Sequence, residues 1–243
     1  MNDSERGLTS VVIAAAGKGS RMGMETNKQY LELQGKPVLA VTIQRFEDCN
    51  LIDEIIVVAN EAEVEYCRKN VIERWGFKKV KAVVTGGPTR RHSVYNGLCQ
   101  VSPACGIVLI HDGARPFVDT HIIEACIDAA EYYGAAIAAV PARDTIKRAD
   151  MEGFVEETID RSNLWYIQTP QAFRFGLIMD AHIRAEQDGF VGTDDAVLVE
   201  RLGHKVRLVS GKYTNIKITA REDLIMAQSM ARILSIKDKG SEG

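Results

Sequence analysis

Residues Ala14 to Gly23 read A-A-A-G-K-G-S-R-M-G, directly after the first apolar run able to form a strand. Small residues at the end of a first strand leave successive main-chain N–H groups unshielded, and such a concavity suits phosphate oxygens. Ala15, Ala16, Gly17 and Gly19 are the candidate cradle, and Lys18, Arg21 and Lys28 fall within eleven residues around it. That much positive charge in one crevice matches triphosphate chemistry. The plainer reading of Arg21 and Lys28 is a solvated helix face. Against it, Asn27 to Tyr30 read as a loop beside the glycine turn. The dinucleotide fingerprint G-x-G-x-x-G fails because Met22 stands where the third glycine belongs, and no acidic residue follows about 20 positions on. The phosphate-loop pattern G-x-x-x-x-G-K-S/T fails as well, since Met22 follows Gly17 at the fifth position and Met24 follows Gly23.

A loop of this kind acts only if a sheet holds it. Short apolar runs alternate with amphipathic stretches over the first 140 residues, which predicts β-α-β units around a mostly parallel sheet covered on both faces. Strands are expected at Ser10 to Ala15, Ile55 to Ala59, Val80 to Val84, Ile107 to Ile110 and Ala135 to Val140. Helices are expected at Val38 to Phe46, Glu61 to Trp75, Arg91 to Val101 and Thr120 to Tyr133, the last opened by Asp119 or Thr120. After Pro141 the rhythm changes. Thr145 to Arg148 and Phe154 to Asp160 read as two polar strands joined by Asp150 to Gly153, a hairpin arm spanning about 142–166. An isolated ribbon is marginal in water, so the arm is expected to pack on the body or on a second copy. The α/β rhythm returns with helices near Arg174 to Gln187, Asp194 to Leu202 and Arg221 to Ile236 and a strand at Lys205 to Val209. The expected architecture is a Rossmann-like three-layer α/β sandwich with a protruding β-hairpin arm. Without a linker-like tract, residues 1–243 read as one domain.

Composition bounds the partners. The 243 residues are 46% hydrophobic and 26% charged, enough for a sizeable core. The longest apolar runs, Val11 to Ala16 and Ala135 to Val140, fall far below the roughly 18 residues of a membrane helix, so no membrane is expected. Thirty basic against 33 acidic residues give a net charge of −3, which provides no broad basic face for nucleic acid. The five cysteines show no C-x-x-C spacing, and Cys126 lies in the helical pattern of Ile122, Ile123, Ile127 and Ala130 as a small core residue. With an acidic N-terminus unlike a secretory signal, this predicts a cytoplasmic protein. Among the histidines only His111 falls beside the crevice, where it would orient the loop that follows.

Nine motifs stand in order: A-A-A-G-x-G-x-R-M, Lys28-Gln29-Tyr30, G-G-x-x-R-x-x-S-V from Gly86, H-D-G-A-R-P-F from His111, D-T-I-K from Asp144, D-R-S-N-L-W from Asp160, Q-T-P-Q-A-F from Gln168, T-D-D from Thr193 and N-I-K-I-T from Asn215. From Ser10 to Ala231 the chain resembles the 2-C-methyl-D-erythritol 4-phosphate cytidylyltransferases of the non-mevalonate isoprenoid pathway, which join CTP to a branched polyol phosphate and release pyrophosphate. The resemblance implies that Arg21, Lys28 and Lys217 contact the triphosphate. It also implies that the alanine-glycine loop, Gly86, Gly87 and Ser93 read the cytosine edge. Pro88, where relatives often carry an acid, has no N–H to donate.

Asp112 and Arg115, at the carboxyl end of a strand, suit ribose or polyol hydroxyls, with Asp112 also a candidate contact for Mg²⁺, the divalent cation expected with any nucleoside triphosphate. Further implied are Thr169 and Thr193 as hydroxyl donors and an arm exchanged across a homodimer, with Thr145 and Arg161 binding the polyol phosphate in the partner's site. Plainer readings stand beside these: Lys217, between Ile216 and Ile218, as the polar face of an edge strand; Thr193 as the cap of a helix starting at Asp194; Arg161 as a surface partner of Asp160 or Glu157. A ribitol-5-phosphate cytidylyltransferase would share the loop and the chemistry, although S-V after the glycine pair and H-D-G-A-R-P-F favour the erythritol enzyme. A non-catalytic nucleotide-binding module would not need Arg21, Lys28 and Lys217 together.

Overall fold

The computed structural model describes residues 7–17 and 27–240. Its centre is a seven-stranded sheet in the order β11-β7-β10-β6-β1-β4-β5. In chain order the strands are β1 (Leu8–Ala15), β4 (Glu54–Ala59), β5 (Val80–Thr85), β6 (Cys105–Asp112), β7 (Ala135–Pro141), β10 (Trp165–Arg174) and β11 (Arg207–Ser210). The short pair β2 (Glu32–Leu33) and β3 (Lys36–Pro37) and the arm pair β8 (Ile146–Ala149) and β9 (Val155–Ile159) form separate two-stranded sheets. All neighbours in the main sheet run parallel except at β10, which is antiparallel to both β6 and β7.

Strand alternation divides the apolar residues between two layers. Val11 and Ile13 of β1, Ile55 and Val57 of β4 and Ile107 and Leu109 of β6 face one cluster. That layer is built by α1 (Val38–Glu47), α4 (Thr120–Tyr133) and the helical stretch at 61–75, which contains α2 (Val64–Cys67). Val12, Ile56, Val58, Val108 and Ile110 face the other, against α3 (Arg90–Leu98), α5 (Phe175–Gln187) and α6 (Ala196–Arg201). Strands buried on both faces read as continuous apolar runs, which is why the sequence exposes them. The long α7 (Arg221–Gly240) packs Ala227 with Leu33, Val38, Phe117 and Ile218.

Several expectations need correction. Residues 61–75 form a composite: a 3₁₀ turn capped by Asn60, then α2, then a π-helical segment at Arg68–Glu73. The segment from Gln168 to Phe173 is a central strand, although Pro170 and the alternating glutamines hide it; the ladder to β7 breaks between Ile167 and Gln171. Lys217 is on no strand. Its segment is irregular, anchored by Ile218 N–H donating to the Ala114 carbonyl at 2.9 Å. Helix α6 starts at Ala196, and Thr193 does not cap it: Asp194 Oδ1 accepts from Val197 N–H, while Gln171 Oε1 accepts from the N–H groups of Asp195 and Ala196.

Among the described residues no helix is long and apolar enough to cross a membrane. All five cysteines are free and four are buried. Burial pushes the Cys126 thiol up to about 12, in keeping with a core role.

Candidate active site

The carboxyl ends of β1, β4 and β6 reach one edge of the sheet, and antiparallel β10 brings its opening residues to the same edge. Two cavities open there. The larger, about 510 Å³, is lined by Ala15, Ala16, Gly17, Gly87, Ser93 and Lys217 among others. The smaller, about 300 Å³, is lined by Arg115, Gln168, Thr169, Gln171, Thr193 and Asp194 among others. Arg90, Asp112 and Lys217 belong to both, so they form the wall between them.

The loop after β1 is held by Gln29, a buried side chain whose Nε2 donates to the Ala15 carbonyl at 2.8 Å. Gly19 and Arg21 lie outside the described residues, as does the Lys28 side chain; the Lys28 backbone opens a 3₁₀ turn, Lys28–Tyr30. Across the larger cavity the glycine turn is tightly closed. A Cβ on Gly86 would sit 2.4 Å from the Ala16 Cβ, and one on Gly87 would sit 2.4 Å from the His92 Cβ. Gly86 N–H donates to the Ala59 carbonyl and Gly87 N–H to Ser93 Oγ, whose own proton faces the carbonyls of Thr89 at 2.9 Å and Gly87 at 3.3 Å. Both glycine amides therefore shape the turn, and Gly86 itself stands behind the lining.

Asp112 is the electrostatic centre. Its Oδ2 is 2.9 Å from Lys217 Nζ and 3.3 Å from Arg115 Nε, and its Oδ1 is 3.8 Å from Arg90 Nε. Burial works against the charged form, but Lys217, Arg90 and Arg115 together overcome it and hold the carboxyl well below the usual carboxylate range. Asp112 N–H donates to Thr169 Oγ1 at 3.0 Å. That leaves the threonine proton for His111 Nδ1, also at 3.0 Å, so Nε2 carries the ring hydrogen and donates to the Arg115 carbonyl at 3.1 Å. Burial lowers His111 to about 4, consistent with a neutral ring that fixes the loop as the sequence predicts.

Lys217 is placed by its neighbours. Asn215, fully buried, donates from Nδ2 to the Thr169 carbonyl and Gln168 Oε1, and its carbonyl accepts from Arg115 Nη1 at 2.7 Å. Arg90, Gln171, Asn215 and Asp195 have no role in the sequence reading, although each stands inside one of its motifs. Thr145 and Arg161 are exposed at the base of the arm and line neither cavity of their own chain; Arg161 donates to the Arg143 carbonyl, while Glu157 pairs with Arg148 instead. At the tip, Asp150 Oδ1 accepts from Glu152 and Phe154 N–H, and Gly153 takes φ +91°.

Residues 9–232 match the family model described as 2-C-methyl-D-erythritol 4-phosphate cytidylyltransferase. A relative of that name from Alkaliphilus oremlandii is 51% identical over 92% of this chain and 95% of its own. Another, from Caldanaerobacter subterraneus subsp. tengcongensis, is 52% identical over 92% and 98%. Among solved structures, the 4-diphosphocytidyl-2C-methyl-D-erythritol synthase of Anaerococcus prevotii superposes with a TM-score of 0.82 at 35% identity, covering 93% of this chain and 96% of that one. A cytidylyltransferase from Thermus thermophilus gives 0.76 at 32% identity, covering 93% and 99%.

Proposed function

The chain belongs to the 2-C-methyl-D-erythritol 4-phosphate cytidylyltransferase family, and from that premise we propose that it transfers CMP from CTP to 2-C-methyl-D-erythritol 4-phosphate, giving 4-diphosphocytidyl-2-C-methyl-D-erythritol and pyrophosphate. One observation supports this reading above the rest: two cavities share a single cationic wall at Arg90, Asp112 and Lys217. A nucleotide in one and a polyol phosphate in the other would meet there. A phosphate oxygen of the polyol attacks the α-phosphorus of CTP, a P–O–P linkage forms, the bond to the β-phosphate breaks, and pyrophosphate leaves with the electron pair. The nucleophile is already anionic at pH 7, so no general base is needed and the work is positioning and charge neutralisation.

In this reading the loop at Ala15 to Gly19, with Gly86, Gly87 and Ser93, seats the nucleotide, and Arg21, Lys28 and Lys217 take the phosphates. Arg115, Thr169 and Thr193 serve the polyol phosphate. Asp112 holds Lys217 and Arg115 in register until phosphate oxygens take them over. Mg²⁺ fits as an ion carried in with CTP: Asp112 Oδ1 has only the loose Arg90 contact, and the described residues contain no cluster of three His, Cys, Asp or Glu side chains. When bound, it supplies charge neutralisation on the triphosphate, held by phosphates, water and one or two carboxylates.

The functional unit is read as a homodimer in which the arm carries Thr145 and Arg161 to the partner's site. Met151, Phe154 and Val155 stand exposed near the tip of this otherwise polar arm, which favours coverage by a second copy. Free cysteines favour the cytoplasm. Pyrophosphate release from CTP, compared for 2-C-methyl-D-erythritol 4-phosphate and ribitol 5-phosphate, tests the assignment: turnover with the first and little with the second is expected. A preference for ribitol 5-phosphate, or no release with either, overturns it.

A further inference from the structure

One guanidinium in the shared wall is given no substrate contact in the proposed reaction. Arg90 opens α3 and lines both cavities. Its Nη1 lies 2.6 Å from Asp195 Oδ2, a charge-assisted contact, while Nε is 3.8 Å from Asp112 Oδ1, beyond hydrogen-bond reach. One edge of the fork is tied and the other faces the wall, with a third of the side chain exposed.

Asp195 is itself fixed from behind. It is 1% exposed, its N–H donates to Gln171 Oε1 at 3.2 Å, and its Oδ1 lies 3.5 Å from Nε2 of the buried His182. Tyr95 stacks on His182 with ring centroids 6.0 Å apart. A buried ion pair gives little net stability over an apolar replacement, because desolvating two charges offsets their attraction. Its place in the wall gives it another use.

We propose that Arg90 is a phosphate-contacting cation that bridges the two substrates as they join, and that Asp195 is the positioning residue that aims it. The inference rests on the CMP-transfer reading. A planar guanidinium matches two phosphate oxygens in a bidentate geometry that an ammonium does not reproduce. Its contact with Asp112 is too long to be a hydrogen bond, so Arg90 can turn to phosphate without breaking one. Because the bridge is complete only when attacking and attacked phosphates are both present, Arg90 acts on kcat more than on CTP binding.

The test uses the full chain with R90Q, R90K, D195N and the R90Q/D195N pair. Pyrophosphate release gives kcat and KM, calorimetric titration gives the CTP affinity, and thermal melting checks the fold. R90Q is expected to lower kcat about 100-fold, the usual loss for one transition-state donor, with CTP affinity within about threefold. R90K should stay at least tenfold below wild type, since it keeps the charge and loses the fork.

D195N should cost about tenfold alone and nothing further in the R90Q background, because it acts only through Arg90. Additive losses in the pair would make Asp195 merely structural and overturn its part of the proposal. If R90Q does not fold, R90K decides. Wild-type turnover with both Arg90 variants, or with R90K alone in that case, removes Arg90 while leaving the assignment of CMP transfer intact. A wild-type protein that releases no pyrophosphate from CTP and the methylerythritol phosphate overturns both.

Discussion

Asp112 shows what the site asks of single residues. One carboxylate faces three cations, so incoming phosphates meet partners already charged and oriented. Lys217→Ala is therefore expected to lower kcat by about 10²- to 10³-fold, with KM for CTP moving far less. The fold should survive because Arg115 still pairs with Asp112 at 3.3 Å. Steady-state pyrophosphate release beside a melting curve reads both, and near-normal turnover in a folded variant would remove Lys217 from the machinery. At this scale the sequence was most legible in placement: Ala15, Ala16 and Gly17 line the larger cavity, and Asp112 meets Arg115. It was blind to Arg90 and Asp195, because an ion pair between residues so far apart in the chain leaves no periodic trace in either segment.

Elements decide how precisely those residues stand, and α3 illustrates it. Its Gly97 lies on β1 and β4: a Cβ there would come within 2.5 Å of Val12 Cγ1 and 2.8 Å of Val58 Cγ2. Both valines are fully buried and β-branched, so neither has a spare rotamer to move into. Alanine would improve helix propensity by about 1 kcal/mol, whereas overpacking a filled core costs typically about 1–3 kcal/mol. Overpacking should win at a contact this short. Gly97→Ala is expected to lower the urea midpoint and, by lifting the helix that begins with Arg90, to reduce turnover. An unchanged midpoint would mean that the helix shifts freely on the sheet. The strands beneath were readable because burial on both faces requires uninterrupted apolar residues. β10 was not, since polar Gln168, Thr169 and Gln171 stand in it to serve the site and Pro170 reads as an edge or turn residue although the strand lies between β6 and β7. The Lys217 segment failed in the opposite sense: its apolar alternation imitates a strand, but Ile218 is buried against the loop after β6 and not in a ladder.

At the scale of the whole molecule the arm is unexplained by its own chain. A two-stranded ribbon is marginal alone, Met151 is fully exposed, and Thr145 and Arg161 reach neither cavity. Exchange of arms in a two-fold dimer accounts for all three, because each site would then take its body from one copy and its arm from the other. The consequence can be read by complementation. Lys217→Ala damages a body and leaves its arm sound, whereas Arg161→Ala damages an arm and leaves its body sound. Each homodimer should be nearly inactive. A heterodimer of the two joins one sound body to one sound arm, so an equal mixture after subunit exchange should recover about a quarter of wild-type turnover, half of the dimers being mixed and one of their two sites intact. Native mass spectrometry of differently tagged copies establishes that exchange has occurred. Activity that stays at the level of the separate variants after exchange would mean that Arg161 serves the site of its own chain, reached by a swing of the arm, and the shared-site dimer would fall with it.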